Sequence, residues 1–157
     1  MGVVNITPDS FSDGGNYNKK NQGFDHAKYL IKKGCQIIDI GGESTRPGAN
    51  DVKKKKEWKR IYETLRKVKR LKSFISLDTR KSSIMEMGVK YKVNLINDVS
   101  GLNYDNDTMN VLKKTKIPFV IHHMKGTPKT MQKNPKYKNV LLDIYDFFEN
   151  KINEIRS

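Results

Sequence analysis

Cysteine is nearly missing from these 157 residues: Cys35 is the only one. A single thiol makes neither an internal disulfide nor a thiolate metal cluster, and the usage suits a reducing, cytoplasmic compartment. Cys35 is expected as a small buried residue beside the second strand. No apolar run approaches the ~20 residues that span a bilayer. The opening Met1-Gly2-Val3-Val4 also lacks the charged and long apolar regions of a secretory signal. Acidic residues are few, 17 against 31 lysines and arginines, which leaves a net charge of +14. A basic surplus of that size can serve nucleic-acid binding. Here the densest basic block, residues 53–72, carries Trp58, Ile61, Leu65 and Val68 at helical spacing, and no DNA- or RNA-binding motif accompanies it. It reads as a helix with a solvated lysine face, and the positive field as one that draws in small anionic substrates.

What is present is a rhythm. Short apolar runs at 2–6, 36–40, 74–78, 93–98 and 118–122 predict five strands. Amphipathic stretches at 24–33, 58–71, 82–90, 107–114 and 140–155 predict helices between and after them. Gly34 is the stop of the first helix, and the last carries Leu141, Ile144, Phe148 and Ile152 as its apolar stripe. Strict alternation argues for parallel strands joined by right-handed crossovers, so all strand C-termini gather on one side. On that side stand Asn5, Thr45-Arg46, Asp78, Asn97-Asp98 and His122-His123. Such an edge is either the top of a (β/α) barrel or the crevice of a doubly wound sheet, and both bind ligands there.

The most informative stretch is 37–48, IIDIGGESTRPG. A buried strand runs into a glycine pair, where the backbone can turn sharply, and then presents a hydroxyl and a guanidinium. Thr45 and Arg46 suit a phosphate or diphosphate, because arginine offers a planar fork of permanently charged donors. Asp78 and Asn97 suit the edge of a flat heterocycle, one accepting paired N–H groups and the other giving one donor and one acceptor. Each has a plainer alternative: Asp78 as a helix N-cap, and Asn97-Asp98 as a turn. Asp39 lies within a strand, so its carboxylate either reaches the mouth of the site or braces a residue that does. Asn5 offers an amide oxygen to a hard cation such as Mg²⁺. His122 and His123 resemble a metal pair, but strand neighbours point to opposite faces, which favours a packed or hydrogen-bonded imidazole.

These residues together resemble the dihydropteroate synthase family. The resemblance is carried by Val4-Asn5-Ile6-Thr7-Pro8-Asp9-Ser10-Phe11-Ser12-Asp13-Gly14-Gly15, by 37–48, by Ser76-Leu77-Asp78-Thr79, and by Ile96-Asn97-Asp98-Val99-Ser100-Gly101. Gly126-Thr127-Pro128-Lys129-Thr130-Met131-Gln132 adds a fifth segment, and the match runs in order across essentially the whole chain. The resemblance implies a TIM barrel, here a partial (β/α)8 barrel of about five βα units forming one pterin-binding domain over 1–157. It implies a transferase of folate biosynthesis that joins p-aminobenzoate to hydroxymethyl-dihydropterin diphosphate and releases diphosphate, with Mg²⁺ present. Carried over by position, Asn5 is the Mg²⁺ contact, Asp78 and Asn97 form the floor of the pterin pocket, and Thr45 and Arg46 face the diphosphate. Phe11, Ser12, Asp13 and Pro47 belong to two mobile loops that close over the aminobenzoate, and Asp13, Thr45 and Arg46 are the residues expected to carry catalysis. The expected partners are these two small molecules, without nucleic acid or membrane, and a homodimer is compatible with the resemblance.

Two departures from the family pattern stand out. His122 occupies a place where the family commonly has methionine against the pterin. The later motifs, an Asp-Pro-Gly strand end, a pterin-contacting lysine and a final Arg-x-His, are not in these 157 residues. A complete TIM barrel takes about 250 residues, so the chain is expected to be part of a longer synthase, with about half a site and little activity alone. Two other readings share the sequence features: a pterin module of a methyltetrahydrofolate-type methyltransferase, and a non-catalytic pterin-binding fragment. The first lacks a diphosphate for Thr45 and Arg46 to hold.

Overall fold

The computed structural model describes residues 1–7, 21–44, 50–127, 130–131 and 134–157. Strands β1 (Gly2–Asn5), β2 (Ile37–Gly41), β3 (Phe74–Asp78), β4 (Leu95–Asp98) and β5 (Phe119–Ile121) alternate with helices α1 (Gln22–Lys32), α2 (Lys54–Val68), α3 (Ser82–Lys90) and α4 (Thr108–Thr115). Helix α5 (Val140–Arg156) follows β5, and a short 3-10 turn, Lys69–Leu71, extends α2. The strands form one sheet in the order β1-β2-β3-β4-β5, every neighbouring pair parallel. A doubly wound sheet reverses its order at a switch point. Unbroken sequential order is that of a barrel wall, so the fold is five successive βα units of a (β/α) barrel.

Strand alternation divides the sheet into two chemistries. Val4, Ile38, Ile40, Ile75, Leu77 and Ile96 form one buried cluster with Ala27 of α1, Ile61, Leu65 and Val68 of α2, Ile84 and Met85 of α3, and Val111 and Leu112 of α4. The opposite face carries Asn5, Asp39, Ser76, Asp78 and Asn97. Register places Asn5 beside Gly41, Gly41 beside Asp78, and Asp78 beside Asn97. Four consecutive strands thus deliver these residues at one height.

Several boundaries differ from the sequence expectation, each for a local reason. β4 begins at Leu95 rather than at Val93 because the Val93 N–H is spent on Gly88 O in the turn leaving α3. Asn94 then pairs with β3 through its backbone N–H, donating to Ile75 O, and its side chain, accepting from Ile75 N. In β5, Pro118 and His122 flank the strand, and Pro118 contributes only its carbonyl, to Ile96 N. Helix α2 starts at Lys54 and turns Glu57, Ile61, Thr64, Leu65 and Val68 inward, while Trp58 is half-buried against Tyr62 and Tyr91. Cys35 is half-buried rather than buried, packed at the core's edge. The stripe expected on α5 packs only in part: Ile144 and Phe148 are half-buried, whereas Leu141 is 78% and Ile152 40% exposed, and Lys151 is the helix's only buried residue.

The glycine pair after β2 acts through close approach. Gly41 belongs to the strand itself. A Cβ on Gly42 would stand 2.8 Å from Ile61 Cγ2 and 2.9 Å from the Glu57 carbonyl oxygen, so α2 lies directly against the backbone here. Gly42→Ala must push helix and strand apart, and we expect a loss of about 1–3 kcal/mol, read as a lower urea midpoint at unchanged m-value.

Candidate active site

The polar face of the sheet holds a hydrogen-bonded chain across three strands' worth of backbone. Asn97 Nδ2 donates to Asp39 Oδ2 at 3.1 Å, and Asn97 Oδ1 lies 2.7 Å from His122 Nε2. Asp39 is 3% exposed, and its other oxygen, Oδ1, has no partner among the described residues. The neighbouring Ser76 Oγ is likewise buried and unpaired. Asp39 therefore braces Asn97 and does not reach the mouth. The two plainer alternatives also separate here. Asp98 is the turn former, its Oδ1 accepting from Ser100 N at 2.8 Å and Ser100 Oγ at 2.6 Å, whereas Asn97 faces the polar side. Asp78 caps nothing, because α3 begins after Lys81 with no side-chain cap.

Asp78 is the site's electrostatic centre. Burial, and then the negative charges of Asp39, Glu57, Asp98 and Glu43, push its carboxyl up to about 8. Burial also raises Asp98, against the opposing hydrogen bonds from Ser100. Asp78 is poised to accept paired N–H donors from a ligand, an exchange that would supply the compensation its surroundings lack.

Asn5 Oδ1 and Asp78 Oδ2 flank the bare Cα of Gly41. A Cβ added there would stand 3.4 Å from the first oxygen and 3.0 Å from the second. This cradle fits a hard cation's preference for oxygen, with Asn5 the neutral ligand. Among the described residues no three His, Cys, Asp or Glu side chains cluster as a metal cage, so a metal held here would take its remaining oxygens from substrate and water. His122 and His123 do not act as a pair: His122 bonds to Asn97, while His123 packs its ring against Tyr137 and Phe147.

Beside this face lies an ionic cluster that the sequence reading passed over. Glu43 accepts from Arg80 Nε at 2.8 Å, from Lys81 Nζ at 2.9 Å and from Val52 N at 2.7 Å. Glu57 accepts from Lys81 Nζ at 2.7 Å and Thr79 Oγ1 at 2.6 Å. Arg80 also pairs with Asp51 and stacks its guanidinium 3.9 Å over the Tyr104 ring centre. Burial alone would raise the Glu43 carboxyl, but the Arg80, Lys81 and Val52 donors outweigh it and hold it below the usual range. One signal was available: Glu57 sits four residues before Ile61, on the apolar stripe of α2, where an acid needs a buried partner. Nothing equivalent marks Arg80 and Lys81 beyond their position just past β3.

A family model described as a pterin binding enzyme matches residues 1–157. The chain belongs to that family. The dihydropteroate synthase of Neisseria meningitidis serogroup B is 44% identical over 146 residues, covering 92% of this chain and 51% of the relative. That of Escherichia coli K12 is 39% identical over 153 residues, covering 97% and 54%. In three dimensions the chain superposes on Yersinia pestis dihydropteroate synthase, solved with a sulfonamide drug, with a TM-score of 0.89 at 38% identity over 99% of this chain and 56% of that one. Xanthomonas albilineans dihydropteroate synthase, solved with 4-aminobenzoic acid, gives 0.88 at 34% identity over 99% and 55%. The chain spans about half the length of these relatives.

Asn5, Asp39, Asp78 and Asn97 stand on one face of the sheet. Phe11, Ser12, Asp13, Thr45, Arg46 and Pro47 lie outside the described residues. The described residues form no helix long and apolar enough to cross a membrane.

The raised carboxyl of Asp78 has a definite linkage sign. In the folded chain it binds its proton up to about pH 8, well above its ordinary value of 3.8, so stability falls as pH rises from about 4 through 8. Asp78→Asn removes the ionisable group, and we expect it to stabilise the ligand-free protein at pH 9 on the order of 2–5 kcal/mol. At pH 3 the effect should be near zero. Urea unfolding at both pH values measures it, and equal effects would contradict the assignment.

The ionic cluster gives a second expectation. Arg80→Met leaves Glu43 and Asp51 short of a cation and should destabilise by about 3–5 kcal/mol. The loss should shrink in a Glu43→Gln background, because the two changes remove the same pair.

Proposed function

We propose that this chain holds and orients the pterin in the dihydropteroate synthase reaction of folate biosynthesis, in which p-aminobenzoate condenses with hydroxymethyl-dihydropterin diphosphate. The amine nitrogen forms a bond to the pterin methylene, the C–O bond to diphosphate breaks with its electron pair, and the nitrogen's surplus proton passes to water. The observation that carries the reading is the adjacency of Asp78 and Asn97 in register on the polar face, with Asn97 fixed by Asp39 and His122. The likeness to dihydropteroate synthases across nearly the whole chain supports it.

In this reading Asp78, ionised in the complex, accepts two N–H groups of the pterin edge, and Asn97 supplies the complementary donor and acceptor. The acids around Asp78 favour positive charge developing on the pterin as the leaving group departs. Asn5 is the residue that would hold Mg²⁺. When bound, that ion neutralises charge on the departing diphosphate. Thr45 and Arg46 bind the diphosphate side, while Phe11, Ser12, Asp13 and Pro47 enclose the aminobenzoate and exclude water. Asp13, Thr45 and Arg46 are assigned the catalytic contacts, on the sequence resemblance. A homodimer and a cytoplasmic location belong to the same reading, the latter supported by the single cysteine.

The test is direct. Set within a full-length relative, this chain given both substrates and Mg²⁺ should support release of diphosphate and formation of dihydropteroate, with a sulfonamide competing against p-aminobenzoate, whereas the 157 residues alone should turn over little. Asp78→Asn should lower kcat/KM by about 100-fold or more. Failure of the unmodified protein to bind 6-hydroxymethylpterin in calorimetry would remove the reading.

A further inference from the structure

We propose that His122 is a positioning residue that fixes the side-chain amide of Asn97 and thereby sharpens the site's discrimination between a pterin and its 2-oxo analogue. The proposal rests on the pterin reading of the polar face and concerns a residue outside the family pattern.

The argument is one of donors and acceptors. The amide nitrogen of Asn97 donates to the buried Asp39 Oδ2 at 3.1 Å. The other end of the amide, Oδ1, therefore faces His122 Nε2 at 2.7 Å, and an oxygen there requires Nε2 to carry the proton. Asn97 is held at both ends, from β2 on one side and from the residue just past β5 on the other. Turning the amide over would set its oxygen against a carboxylate and its N–H against an N–H. One amide proton and one carbonyl lone pair are left for a ligand, in a fixed order.

A pterin presents a 2-amino group, and lumazine, otherwise the same bicycle, presents a 2-oxo group. To meet the changed edge Asn97 must rotate, giving up both bonds. With a thioether in place of the imidazole no donor faces Oδ1, and rotation gives up one bond only. The 2-oxo analogue is then penalised less. His122 acts through Asn97, so its removal shows in the ratio of two affinities and not simply in their size.

The experiment has two arms on the purified protein. In the ligand-free state, ¹⁵N NMR of the histidine rings, with His122 assigned by substitution, should find Nε2 protonated. Calorimetry then compares 6-hydroxymethylpterin with 6-hydroxymethyl-lumazine for the unmodified protein, His122→Met and His122→Gln, each checked for folding by thermal unfolding. His122→Met should narrow the pterin preference about tenfold, and His122→Gln, whose amide can donate to Asn97, should restore most of it. A bare Nε2 overturns the proposal whatever the protein binds. So does an unchanged ratio in His122→Met, including one where both ligands weaken equally. If Nε2 is protonated but the unmodified protein binds neither ligand, the pterin reading has failed, and the selectivity claim falls with it.

Discussion

Parallel pairing with strict side-chain alternation is the constraint from which the rest of the molecule follows. Helices cover one face of the sheet, so Val4, Ile38, Ile40, Leu77 and Ile96 must be apolar. The residues between them are thereby released for polar work. Register does the remainder: Asn5, Gly41, Asp78 and Asn97 come level because β1 to β4 are paired without a slip. A one-residue shift in any of these strands would turn its polar residue toward a helix and its buried valine, isoleucine or leucine to the polar face. The hydrophobic core and the site are thus held by the same hydrogen bonds.

Charge is distributed over this frame unevenly. The chain has 31 lysines and arginines, yet its buried cations attend only some of the buried acids. Glu43 and Glu57 share Lys81, and Arg80 adds a second cation to Glu43. Asp39 receives only an amide, and Asp78 receives no cation among these contacts. The cluster of Glu43, Glu57, Arg80 and Lys81 neutralises itself and anchors the segments on either side of residues 45–49 through Glu43, Asp51 and Val52. Among the described residues the acids of the polar face thus have fewer cationic partners than those of the cluster, and a ligand with N–H donors would suit them.

Much of this was legible before any coordinates. Apolar runs of strand length alternating with amphipathic stretches gave five βα units, and β3 and α3 fell where expected to the residue. Polar residues at the strand ends marked one face of the sheet, and the family motifs suggested the roles proposed for Asn5, Asp78 and Asn97. What was hidden depended on contacts between distant residues. Whether Asp39 reached the mouth turned on Asn97, 58 positions away. Periodicity alone left a barrel and a doubly wound sheet both open; the family resemblance pointed to the barrel, and the strand order bears it out. The glycine pair looked like a turn, but its requirement comes from α2 and Asp78 pressing on it. Helix α5 misled in part, because periodicity shows that a helix has an apolar stripe and not how much of it is covered.

The helix ends show another consequence. α1 closes at Gly34 with φ +93°, the usual residue for a left-handed position. Lys72, Lys92 and Lys116, with φ near +55° to +60°, take that conformation before β3, β4 and β5. Each bears about 1 kcal/mol of backbone strain, partly offset by a cation at a helix C-terminus. All three precede their strands, at the end of the sheet opposite Asp78 and Asn97. Strain placed there does nothing for ligand geometry. It is slack in the scaffold, held at the rim where helices hand over to strands and away from the polar face.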